Sequence, residues 1–204
     1  MFELFALFFV GLVVGLSGAV IPGPLLAFTI FDTSRKRRVT GHYIIIGHVS
    51  WEAVVILIIL LGFGSLITQY RALIYVVGGL VLILMGALMF KSRKEGEVEK
   101  KSSRINSSML SGVFYTVFNP TQPLWWATAG SALLLRGLET MSFIGVVTVT
   151  LGHWLSDFAY YTLISFMIKK HERYINPRQR QISMLLGVFL ALLGTYFIIQ
   201  ALIK

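Results

Sequence analysis

The sequence predicts an all-α membrane protein: six transmembrane helices forming two inverted three-helix repeats, with proline-broken first and fourth spans. Three observations carry that prediction. A mean hydropathy of +0.77 with 56% hydrophobic residues exceeds what a water-soluble fold needs. Apolar stretches of bilayer-crossing length recur along the chain. The two halves also repeat the same landmarks in the same order.

The predicted spans are 4–31, 43–68, 73–90, 108–135, 141–168 and 182–203. A soluble helical domain would need amphipathic faces, and these segments lack them. The net charge of +9 does not point to nucleic acid, because its pattern is that of membrane-flanking loops rather than a basic groove. Fifteen of the 18 Lys and Arg residues lie in loops 32–42, 91–107 and 169–181. The positive-inside rule makes those loops cytoplasmic and both termini external, in a multi-pass protein of the plasma membrane. No basic residue precedes the first apolar run, which is too long for a signal-peptide core, so that run is expected to stay as a span. With no cysteine, disulfides, thiolate metal sites and thiol relays are excluded. No cofactor is expected.

Segment 91–107, "KSRKEGEVEKKSSRINS", reads as a flexible linker. It divides a single polytopic domain into repeat one, 1–90, and repeat two, 108–204. Gly47-His48 with Glu52 matches Gly152-His153 with Asp157, and Gly79 and Gly86 match Gly187 and Gly194 at the same spacing. Each half has three spans, an odd number, so the second copy enters the bilayer in the opposite sense. Inverted repeats of this kind are common in secondary transporters.

In the first span, Pro22-Gly23-Pro24 cannot continue a regular helix, because proline lacks the backbone donor and clashes with the preceding turn. Asn119-Pro120 and Pro123 are expected to break the fourth span in the same way. Unpaired backbone groups at membrane depth survive only where protein or a watery cavity covers them, so the breaks point to a substrate site. A plain kink with packing consequences only is the bland alternative.

Residues four apart share a helix face, so His48 couples to Glu52 and His153 to Asp157. At about 1.5 Å per residue, Glu52 lies about 14 Å from the cytoplasmic start of its span and Asp157 about 17 Å from the cytoplasmic end of its own. A charge near the midplane costs on the order of 2.5–3.5 kcal/mol on insertion scales. Each of the four groups can exchange a proton when a cation or water arrives beside it, as a proton-coupling site requires. Interhelical hydrogen bonding alone is the structural alternative. Trp51, Trp125, Trp126 and Trp154 neighbour these features, and packing is the expected role for most of them. Glu3, Glu139 and Glu172 are expected to be solvated.

The segments "GLSGAVIPGPLLAFTI" and "FNPTQPLWWATAG" resemble the LysE family of amino acid exporters, over nearly the whole chain. Gly23-Pro24 and Asn119-Pro120 fall on that family's Gly-Pro and Asn-Pro breaks. Leu25 and Thr121 depart from it, where many members have a polar residue and a lysine. The resemblance implies a non-enzymatic secondary transporter whose small-molecule substrate is an amino acid or related zwitterion, exported at the expense of the membrane potential or the proton gradient, with the proton gradient expected here. Pro22, Gly23, Pro24, Asn119 and Pro120 would then bind substrate together with Glu52 and Asp157. The same two acids, with His48 and His153, would couple the proton. A divalent-metal exporter using the two His-acid couples is the alternative, and a non-transporting scaffold a third reading. Small-residue spacing such as Gly11 to Gly15 permits close helix contact within one chain or in a homo-oligomer.

Overall fold

The computed structural model describes residues 1–91 and 104–203. These are helical: α1 (Phe2–Ala19), α2 (Pro24–Lys36), α3 (Gly41–Ile58), α4 (Gly64–Gln69), α5 (Arg71–Lys91), α6 (Arg104–Val117), α7 (Thr121–Trp125), α8 (Ser131–Lys170), α9 (Glu172–Ile175) and α10 (Gln179–Ile203), with π-helical turns at Ile59–Phe63 and Trp126–Gly130. In lipid a helix satisfies its own backbone groups, which is why such apolar sequence takes this form.

Five stretches among the described residues are long and apolar enough to cross a bilayer: Phe2–Ala19, Gly41–Phe63, Arg71–Leu88, Thr121–Lys170 and Gln179–Ile203. The expected fourth and fifth spans run together in Thr121–Lys170, whose 50 residues are about twice what a crossing needs. That run is not one straight rod. Met141 (φ −142°, ψ 27°) and Ser142 (φ 52°, ψ −142°) leave helical geometry, and a Cβ at Gly137 would collide with Gly145 backbone across the corner.

The first proline break falls where the sequence puts it. α1 ends at Ala19, Gly23 is extended, and Pro24 takes the first helical position of α2, where its fixed φ suits a helix and no donor is lost. The second lies at 118–120, between α6 and α7. Pro123 makes no break of its own, because it sits in the first turn of α7. Two loop boundaries also need correction. Helix α2 runs through Asp32 to Lys36, leaving only 37–40 between α2 and α3, and Arg104–Ser107 belong to α6 rather than to the linker. The rest of that linker, 92–103, lies outside the described residues.

The exterior is apolar, unlike that of a soluble protein, and polar groups share the interior with the apolar core. Leu185 is 69% exposed and Leu192 66%, whereas Thr29, Thr40 and Ser165 are 0%. Leucine facing hydrocarbon costs nothing, while a hydroxyl there lacks a partner, so the polar groups turn inward and bond one another. Thr33 Oγ1 lies 2.8 Å from Ser165 Oγ and 2.9 Å from Thr40 Oγ1. Ser165 Oγ also accepts from the Thr40 and Gly41 amides, at 2.8 and 3.1 Å.

Helices from the two halves interlace: α1 packs on α8, α3 on α6 and α5 on α10. Missing side chains permit this approach. A Cβ at Gly11 would strike the Val149 carbonyl, and one at Gly152 the Phe8 carbonyl; across the molecule, one at Gly112 would strike Ile44 and one at Gly47 would strike Met109. Similarly, Gly79 meets Gly194, and Gly86 meets Gly187.

Candidate functional site

Helix α3 places His48 and Glu52 one turn apart on its buried face, and α8 does the same for His153 and Asp157. All four are buried. The expected couples form, with His48 Nε2 at 3.2 Å from Glu52 Oε1 and His153 Nε2 at 3.3 Å from Asp157 Oδ2. The helices also cross-connect them: His153 Nε2 lies 3.3 Å from Glu52 Oε2, and His48 Nε2 lies 3.6 Å from Asp157 Oδ2. The two local pairs therefore make one cluster.

The two acids are not equivalent. Glu52 accepts the indole N–H of Trp126 on Oε1 at 2.7 Å and that of Trp154 on Oε2 at 3.1 Å. Two donors that cannot reverse their polarity favour its carboxylate form. Asp157 Oδ2 is buried without a hydrogen-bond partner. The indoles' role is not readable from the residue order, since a buried tryptophan reads as packing until its N–H is located. Trp126 is placed by the π-helical turn that starts at it. A Cβ on Gly130 would overlap its ring, and Ser131 Oγ bonds its carbonyl at 2.8 Å. Trp125 stacks on the His153 ring, 4.9 Å between centroids at 20°.

The histidines differ as well. Thr116 Oγ1 donates to the Gly112 carbonyl at 2.7 Å and lies 2.9 Å from His48 Nδ1. The hydroxyl has one proton, already used, so His48 Nδ1 carries the hydrogen and donates. His48 Nε2 then faces two carboxyl groups, and a proton must lie between them, since a ring lone pair opposed to carboxylates is repulsive. His153 Nδ1 has no partner, and the neighbouring position on α1 is Gly15, which offers no side chain.

This cluster lines a cavity of about 570 Å³, whose wall also includes Pro22, Gly23 and Pro24 from the first break and Asn119 and Thr121 from the second. Pro120 is buried beside it and packs against Gly78. Asn119 Oδ1 accepts from the Thr121 amide and hydroxyl at 3.2 and 2.7 Å, so this side chain closes the exposed start of α7. Every residue expected to form the site thus belongs to one region. Another hollow, of about 500 Å³, is lined by Leu155, Phe158, Phe166 and similar residues, none of them titratable.

A second polar cluster was missed altogether. Asp32, read in the sequence as part of a basic loop, is buried, with Lys36 Nζ at 2.8 Å and the Ser108 hydroxyl donating to it at 2.8 Å. Lys36 also reaches Ser108 Oγ at 2.6 Å, tying α2 to α6. The Asp-to-Lys spacing of four was the available signal. Glu3 and Glu139 are exposed, as expected, and Glu172 pairs with Lys169.

No curated protein and no solved structure matches the chain. A family model described as LysE type translocator matches residues 16–201, and the chain, with its polar cluster and two helix breaks inside an apolar helical shell, belongs to that family of membrane transporters.

Proposed function

We propose that this protein exports an amino acid or related small zwitterion by alternating access, driven by the proton gradient. One observation carries the reading: both helix breaks and both His-acid couples line a single cavity. Broken ends offer backbone donors suited to a carboxylate, and the acids suit an ammonium group.

Within this reading the acids divide their work. Glu52, tied to two indoles, is the standing anion, and Asp157, whose Oδ2 meets only the two histidine rings, exchanges the proton through His48 Nε2. Proton and substrate ammonium compete there, because one carboxylate cannot hold a proton and pair fully with a cation at once. Competition of this kind couples the two fluxes.

We also infer six spans in two inverted repeats. The corner at Met141–Ser142 supports two crossings within Thr121–Lys170. The matched contacts of Gly11 with Val149 and Gly112 with Ile44, and of Gly152 with Phe8 and Gly47 with Met109, support the repeat. With the basic loops cytoplasmic, the Asp32–Lys36–Ser108 and Thr33–Thr40–Ser165 clusters would close the inner side and the cavity would face outward.

His48, Glu52 and Asp157 do bring donor atoms within 4.8 Å of one another. A divalent cation there would compete with the indole and imidazole N–H groups that already crowd Glu52, which argues against metal as cargo. The test is efflux from proteoliposomes loaded with amino acids and divalent ions under an imposed pH gradient, with Glu52→Gln/Asp157→Asn as control. Amino acid efflux lost in the double variant is expected; efflux of metal alone would overturn the reading.

A further inference from the structure

Three side chains on the cavity wall keep donors without partners among the described residues. Arg71, the first residue of α5 and half-buried, makes no ion pair or hydrogen bond and is, among the described residues, the one Lys or Arg lining the cavity. Gln122 is buried with both Nε2 and Oε1 unpaired. Asn119 uses Oδ1 on Thr121, which leaves Nδ2 free to donate. Gly78 packs on Pro120 at the second break, and Arg71 stands seven residues, about 10 Å, farther toward the start of α5. The cavity therefore carries both signs on one wall: a cation and two amides as well as Glu52 and Asp157.

A guanidinium half out of water and a buried amide with no partner are both costly as they stand, and a bound oxyanion would satisfy them. The guanidinium fork takes a planar carboxylate through two parallel bonds, which a point charge cannot imitate. A simple amine or metal cation gains nothing from these donors and is repelled by Arg71. We propose that Arg71 and Gln122, with the free amide hydrogens of Asn119, form the subsite that recognises the substrate's carboxylate, and so set a preference for amino acids over the corresponding amines. The proposal rests on the amino acid export reading.

The test is counterflow in proteoliposomes of L-lysine, L-leucine and L-phenylalanine, each compared with its decarboxylated amine, cadaverine, isoamylamine or phenethylamine. The wild type is expected to prefer the amino acid for the pair it carries. Arg71→Gln should lower the amino-acid-to-amine ratio on the order of tenfold to a hundredfold, and Gln122→Leu by less, with Arg71→Lys intermediate. The ratio does not depend on the amount of folded protein, so a destabilised variant still reports. A wild-type preference kept intact by both Arg71→Gln and Gln122→Leu overturns the subsite alone. A wild type that carries none of the pairs overturns the export reading and the subsite with it.

Discussion

Replacing the two acids by their amides should separate their roles. In Glu52→Gln one oxygen becomes an NH₂, which then opposes an indole N–H where a carboxylate oxygen had accepted from Trp126 at 2.7 Å or Trp154 at 3.1 Å. One charged hydrogen bond is lost and two buried donors face each other, a loss of about 2–5 kcal/mol from bonds of roughly 1.5–3 kcal/mol each. Asp157→Asn breaks no hydrogen bond made by Oδ2, and asparagine copies the protonated acid, so its cost should stay within about 1 kcal/mol. For a chain of this size 1 kcal/mol shifts the melting temperature by about 2–4 °C, so Glu52→Gln should melt roughly 4–20 °C low and Asp157→Asn within about 4 °C. Thermal unfolding in detergent, followed by tryptophan fluorescence, measures this. Flux then gives the complement: Asp157→Asn should abolish export driven by a pH gradient while retaining substrate exchange at equal pH. Equal destabilisation by the two variants, or undiminished pH-driven export by Asp157→Asn, would refute the division.

Thr116→Ala removes the acceptor that fixes the His48 ring and should flatten the pH dependence of transport while costing about 1 kcal/mol of stability, read by flux against pH and by melting. Gly47→Ala would drive a methyl into the Met109 backbone, whereas at Gly23 the nearest atom is 3.8 Å away and the backbone is extended, so the first should lose most folded protein on size-exclusion chromatography and the second should not. Because the chain has no cysteine, Thr29→Cys can report on the proposed inner closure directly. Its labelling from the cytoplasmic side should rise roughly tenfold when Thr33→Val and Ser165→Ala are added, as expected for a shift of two-state populations by one decade, and unchanged labelling would remove those hydroxyls from the closure.

Much of this was legible in the chain before any coordinates. Hydropathy fixes helices because lipid leaves the backbone no alternative, and Pro24 and Pro120 mark the breaks because proline chemistry is local. His48, Glu52, His153 and Asp157 stood out because a midplane charge needs a reason. What stayed hidden depends on which atoms meet across helices. Nothing in "WW" says that Trp126 bonds Glu52 while its neighbour Trp125 stacks on His153. Asp32 passed for a loop charge because a basic run follows it immediately, although its buried carboxylate faces Ser108 from another helix. Gly62, at φ 88°, and the Met141–Ser142 corner depart from helical geometry without any proline to announce it.

The unequal neighbours of the two histidines carry a consequence for how such a molecule can be built. In a dimer of two identical three-helix chains, the residue on the helix facing His48 and the one facing His153 would be encoded by a single codon, and both rings would be held or both left free. Here one faces Thr116 and the other Gly15. Joining the halves in one polypeptide lets one ring keep a fixed tautomer while its counterpart keeps an open nitrogen, an inequality that an assembly of identical halves has no means to write down.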